Sequence, residues 1–335
     1  MAISRKLDNR RARIEKPKGG LALSFAGDVK NELVRVAEEN ACCEQAELSA
    51  LLWMGGVISF GGKGRLGIKF VTENAAVARK ALRSLKKEGV EDTEVKVTRA
   101  LRLKKNNSYE LRALPSPAVT NLLARMDILR EGLLVEAPAS PPRKNCCRKA
   151  WLRGAFLAGG SINRPEVEYH LEMVTQNEGF AQTLVAALRS FGLNSGLTSR
   201  KQDCVVYMKE GDAITAFLSL VGAHEALLEF ENVRIVKSMR NQVNRLVNCE
   251  TANLAKTVNA AVRQIEGIRR IINQRGIDSL PRSLREVAEL RLAYPEATLQ
   301  ELVEAFDGMI SRSGMSHRLR ALERLAEELA AEKLP

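Results

Sequence analysis

The side chains best suited to chemistry in this chain lie near its carboxyl end, where Ser311 to Arg320 reads Ser-Arg-Ser-Gly-Met-Ser-His-Arg-Leu-Arg. Arg312, Ser313, Ser316, His317, Arg318 and Arg320 supply guanidinium, hydroxyl and imidazole groups with no carboxylate among them, and acids follow only later, at Glu323, Glu327, Glu328 and Glu332. A basic, hydroxylated amino end suits a helix whose positive pole meets phosphate and whose leading side chains reach base edges in the major groove. Arg312, Arg318 and Arg324 are the candidates for phosphate contact. A second set of reactive groups is the pair of adjacent thiols Cys42-Cys43 and Cys146-Cys147. Neither pair has the spacing of a zinc site, so they are expected to be reduced, packed thiols with no metal.

The elements that must position the basic run form a compact trihelical pattern. Ser283-Leu-Arg-Glu286 is a capping-box sequence opening a helix to about Leu292, and Pro295 enforces a break. Thr298-Leu-Gln-Glu301 is a second capping box, opening a helix to Phe306, and Asp307-Gly308 turns the chain. A third helix over 313–330 buries Met315, Leu319, Leu322, Leu325, Ala326 and Leu329. Short helix, turn and long helix make a helix-turn-helix over 277–335. Upstream, 223–246 and 251–274 read as two long helices rich in arginine and asparagine, forming a helical linker over 223–276.

The first two thirds of the chain contain an internal duplication. Shifted by 104 residues, Cys42-Cys43 falls on Cys146-Cys147, Ala46 on Ala150, Leu48 on Leu152, Gly55-Gly56 on Gly159-Gly160 and Ile58 on Ile162. These are seven identities in seventeen positions, where unrelated windows would share roughly one. Each copy predicts helix, two strands, helix, two strands, helix, in halves spanning 23–133 and 144–222 joined by a proline-rich link. The fold class is therefore α+β: a pseudo-two-fold domain over 23–222 with the glycine-ended helices at its seam. Close approach of those helices requires small residues, which Ala50, Gly55, Gly154, Ala158 and Gly159 supply.

Leu48-Ser-Ala-Leu-Leu-Trp-Met-Gly55-Gly56 and Leu152-Arg-Gly-Ala-Phe-Leu-Ala-Gly159-Gly160 resemble the nine-residue LAGLIDADG motif of homing endonucleases, one copy per half. The resemblance implies a saddle-shaped domain in which an acidic residue before the final glycine of each helix holds metal at the scissile phosphate. Gly55 and Gly159 occupy those positions, so no catalytic residue and no metal ligand is expected. Two-metal cleavage needs carboxylates converging on ions about 3.5 to 4 Å apart. The nearest acid before Gly55 is Glu47, about 12 Å back along a helix. Together with Phe25-Ala-Gly-Asp-Val-Lys-Asn-Glu-Leu33 and Ser311 to Arg320, the duplicated motif resembles the WhiA family of bacterial DNA-binding regulators. That resemblance implies control of sporulation or cell-division genes, alongside a regulator of the WhiB type.

Composition bounds the alternatives. The chain has 335 residues and a net charge of +12, which directs suspicion to an anionic partner, and double-stranded DNA is the one expected. Aromatic residues are 4% of the chain, too few to furnish stacking platforms for single strands. Residues 1–22 read as a basic arm. No apolar run reaches the ~18 residues of a membrane span and no leader segment is evident, so a soluble, cytoplasmic, nucleoid-associated protein without cofactors is expected. The leading reading is a sequence-specific transcription regulator without catalysis. A factor in cell division or chromosome organisation, binding DNA electrostatically or acting through protein contacts, is the alternative, and an endonuclease using atypical metal ligands is the enzyme-class rival. Lys96, Arg99, Arg102, Lys104, Lys105, Arg200 and Lys201 are the candidates for a basic saddle face, with protein contact as the competing use of that surface.

Overall fold

The structure, a computed structural model, describes residues 24–37, 40–99, 107–306 and 309–331. The expected basic arm, Arg102, Lys104, Lys105, the Asp307-Gly308 turn and Glu332 lie outside them. The chain divides into two compact units after Lys237.

In the first unit, α1 (Phe25–Leu33) is capped by Ser24, whose Oγ accepts from the Gly27 amide. The first copy of the repeat follows as α2 (Ala41–Gly55), β1 (Gly56–Phe60), β2 (Leu66–Thr72), α3 (Ala75–Lys87), β3 (Thr93–Arg99), β4 (Asn107–Ser116) and α4 (Pro117–Arg125). A short hairpin, β5 (Leu129–Arg130) and β6 (Leu133–Leu134), leads to the second copy. That copy is α5 (Asn145–Gly159), β7 (Gly160–Ile162), β8 (Leu171–Thr175), α6 (Glu178–Arg189), β9 (Gly196–Arg200), β10 (Asp203–Met208) and α7 (Gly211–Val221). The two antiparallel sheets have the same strand order, β1-β2-β4-β3 and β7-β8-β10-β9, as a duplication requires. The turn before the second helix repeats as well. Thr72 and Thr175 each accept from the amide two residues on, at 3.2 Å, and the asparagines there, Asn74 and Asn177, cap α3 and α6.

Helices α2 and α5 are buried on nearly all sides, which is why neither shows the one-sided apolar pattern of a surface helix. Gly154 permits their contact, because a Cβ there would stand 2.1 Å from the Glu47 carbonyl oxygen. Polar groups are buried at the same crossing. Arg153 donates from Nε to Glu47 Oε2 at 2.8 Å and from Nη1 to the Val221 carbonyl at 2.9 Å, while Lys80 Nζ stands 2.6 Å from Glu47 Oε1. Burial pushes the Glu47 carboxyl up against the pull of Lys80, and brings the Arg153 guanidinium down to about 10.

A single helix, α8 (His224–Arg275), occupies the stretch where two helices are expected. Residues 247–250 contain neither glycine nor proline, so nothing in the backbone interrupts it. In the second unit the final turns of α8 contribute Ile268 and Ile271 to a core shared with α9 (Arg282–Ala293), α10 (Leu299–Ala305) and α11 (Arg312–Ala331). Thr298 and Glu301 form the expected capping box. Ser283 does not: α9 begins two residues earlier than that cap would place it, at Arg282 after Pro281, and Glu286 instead accepts from Arg282 Nε. Proline already sets the entry angle and lacks an amide.

Candidate nucleic-acid interface

Ser311 starts α11, its Oγ accepting from the Gly314 amide at 3.2 Å and its carbonyl from the Met315 amide at 2.9 Å. Met315, Leu319, Leu322, Ala326 and Leu329 are buried along one side, with Leu325 partly buried beside them. On the opposite side Arg312, Ser313, His317, Arg320 and Arg324 are exposed and Ser316 is half-buried. At 100° per residue these six fall within roughly 140° of the helix surface. Arg318 leaves this group. It is half-buried on the flank toward α9 and donates from Nη1 to the Ser283 carbonyl at 3.4 Å. Five of the six singled-out residues thus share a face and the sixth braces the amino end of α9.

In α9, Arg291 is only 3% exposed. Its Nη1 donates to the Ala297 carbonyl at 2.7 Å, fastening the end of α9 to the loop that enters α10, and burial lowers its pKa. Nothing in the sequence separates this arginine from its exposed neighbours, because it takes the helical repeat position of an apolar residue and satisfies a loop carbonyl that only the fold brings near.

The positions of the motif carboxylates are closed by packing. A Cβ at Gly55 would lie 2.9 Å from the Phe70 ring, and one at Gly159 would lie 2.6 Å from Met54 Cε and 2.7 Å from the Val174 carbonyl. Phe70 is itself 1% exposed and belongs to the core. A cleft of about 830 Å³ beside Gly55 is lined in part by Glu136, Glu178 and Asp203, yet these acids do not converge. Among the described residues, the group of three or more ligand atoms that does converge is made of thiols: Cys42, Cys43 and Cys147.

The open faces of the two sheets carry both signs of charge. Lys96 stands opposite Glu110 in the β3–β4 ladder, and Arg200 opposite Asp203 in the β9–β10 ladder. Glu110 also pairs with Lys69 at 3.2 Å and with Arg112. Arg99 lies at the far end of the edge strand β3, opposite Asn107, and Lys201 sits in a turn at φ 59°. Val57, Val71 and Leu114 are exposed among these strands. The described members of the expected basic set therefore do not form a continuous positive track.

Comparison with known proteins decides the family. A relative named probable cell division protein WhiA, from Desulforamulus reducens, is 46% identical over 318 residues, covering 93% of this chain and 98% of its own. The chain belongs to the WhiA family. A second relative of that name, from Alkaliphilus metalliredigens, is 46% identical over 310 residues, covering 91% of this chain and 98% of its own. Three descriptions of the family match in order: the WhiA N-terminal LAGLIDADG-like domain at 41–129, the WhiA LAGLIDADG-like domain at 148–240, and the WhiA C-terminal HTH domain at 243–326. A solved structure described as full-length DUF199/WhiA from Thermatoga maritima is similar at TM-score 0.55 and 26% identity, over 91% of this chain and 99% of that one. The WhiA helix-turn-helix match, at 243–326, takes in α11 as far as Ala326 and the later turns of α8, both of which contribute to the core of the second unit.

Spacing within each cysteine pair does not reveal that the two pairs meet. Judged singly, neither has ligand spacing. Superposed by the 104-residue repeat, both open equivalent helices that cross at the seam, so the duplication itself contained the signal.

Proposed function

We propose that this chain is a sequence-specific double-stranded DNA-binding regulator of sporulation or cell-division genes, built on a LAGLIDADG-like domain that does not cut DNA. The observation that carries the reading is the exposed face of α11, where Arg312, Ser313, Ser316, His317 and Arg320 stand clear of the buried stripe. A helix entering the major groove by its amino end presents such groups to phosphates and base edges. Ser313, Ser316 and His317 are assigned to base edges, Arg312 and Arg320 to phosphate or guanine. The alternation of charge on the open sheet faces supports giving DNA recognition to α11 rather than to the saddle. A WhiB-type regulator remains a proposed partner on the family resemblance.

Selection of bound sequences from a random duplex pool, followed by titration of selected and scrambled duplexes over a salt series, tests the proposal. The expected result is a preferred site bound roughly 10³-fold or more above scrambled DNA. Equal affinity for every duplex would mean purely electrostatic binding and would overturn it. Cleavage of plasmid in magnesium or manganese, lost on chelation, would restore the endonuclease reading.

A further inference from the structure

Each seam helix begins with two thiols. Cys42 and Cys43 are the second and third residues of α2, Cys146 and Cys147 the second and third of α5. The sulfurs of Cys42, Cys43 and Cys147 lie within 4.8 Å of one another, and Cys146 Sγ is 4.0 Å from Cys147 Sγ. Cys146 also meets the Cys43 thiol. A tetrahedral zinc ion with bonds of about 2.3 Å needs sulfurs about 3.8 Å apart. The contacts present approach that spacing before any ion draws the thiols together, and all four cysteines are free.

We propose that Cys42, Cys43, Cys146 and Cys147 form a binding site for a thiophilic divalent ion, zinc(II), which clamps the two LAGLIDADG-like halves at the amino ends of α2 and α5. Three further observations support it. Neither helix has a side-chain cap at its amino end, so first-turn amides and the positive pole of each helix are available to metal-bound thiolates. A cavity of about 260 Å³ lined by Cys42 and Cys147, with Asp127 and the Glu88–Arg125 ion pair also on its wall, gives an entry path. Cys43 and Cys147 are buried and Cys42 half-buried, whereas Cys146 is exposed, so the fourth ligand closes over the ion by side-chain rotation.

The test is titration of the reduced full-length protein with cobalt(II) under anaerobic conditions. Binding of about one equivalent is expected, with the strong visible bands of tetrahedral cobalt and sulfur-to-metal charge transfer, both removed by zinc. Cys43→Ser and Cys147→Ser should abolish the tetrahedral spectrum. Cys146→Ser should weaken binding and retain three-thiolate charge transfer, and Cys204→Ser and Cys249→Ser should bind as the wild type does. Far-UV circular dichroism accompanies each variant; if a buried variant unfolds, the wild-type spectrum and the Cys146, Cys204 and Cys249 variants decide. No uptake by the reduced wild type at micromolar metal overturns the site. So does thiolate charge transfer that vanishes in Cys204→Ser or Cys249→Ser, or an inter-helix disulfide found by mass spectrometry in protein that takes up no metal once reduced.

Discussion

Arg153 Nε donates to Glu47 Oε2 at 2.8 Å across the seam of the duplicated domain, joining residues 106 positions apart whose side chains are 6% and 5% exposed. The contact breaks the internal symmetry, since the repeat places Trp151 opposite Glu47 and Ser49 opposite Arg153. A charge pair sunk this deeply adds little over a well-packed apolar pair, but removal of Arg153 leaves buried Glu47 with Lys80 alone and the Val221 carbonyl without its donor. Arg153→Met should therefore lower unfolding free energy by about 3 kcal/mol or more, read from denaturant midpoints. An unchanged midpoint would show that Lys80 alone suffices for Glu47.

Gly154 should tolerate no side chain. The Cβ of Gly154→Ala would meet backbone at the Glu47 carbonyl, 2.1 Å away, where no flexible group can yield. The expected loss is about 1–3 kcal/mol or greater, measured by thermal or urea unfolding. Gly62→Ala is the control, because a Cβ there would meet nothing within 4 Å and its backbone is not left-handed. Equal stability of the two variants would sink the argument from close helix approach.

Introducing the acids of the homing-endonuclease motif should not introduce its chemistry. Gly55→Asp and Gly159→Asp must displace Phe70 and Met54 before a carboxylate can reach a metal. The double variant is expected to be less stable than the wild type and to leave plasmid intact in magnesium. Metal-dependent nicking by a well-folded double variant would contradict the packing account.

Lys30 carries a pH dependence. Burial lowers its pKa from the ordinary 10.5 to about 8, against a smaller upward pull from Glu73, and its Nζ lies 6.0 Å from the Phe156 ring centre. Between about 8 and 10.5 the unfolded chain holds a proton that the native one lacks, so stability rises with pH across that window and is lost as pH falls through 8. The difference in unfolding free energy between wild type and Lys30→Met should change with pH there, with the wild type gaining on the variant. A difference that stays flat between those values would refute the shift.

On α11, Arg320→Ala and Arg318→Ala should separate. Arg320 is exposed on the face that carries the serines and His317, so its loss should weaken binding to a selected duplex and flatten the salt dependence by about one phosphate contact. Arg318 braces Ser283 in α9, and its replacement should show first in the thermal midpoint. Equal effects on binding with no change in midpoint would place both arginines on the nucleic acid.

Much was legible in the order of residues alone because it depends on neighbours along the chain. Thr298 and Glu301 form the capping box their spacing predicts, and α3 and α4 lie where their patterns place them. The repeat exposed two like units, and the stripe from Met315 to Leu329 marked which side of α11 is buried. Tertiary structure alone decided that Arg318 turns from Ser316 and Arg320 toward α9, that Phe70 and Met54 fill the places of two absent carboxylates, and that three thiols from two pairs converge. The reason is one of range. Caps and periodicity are set within a few residues, whereas the distance between Cys43 and Cys147, or between Glu47 and Arg153, is set by how two helices a hundred residues apart pack over Gly154.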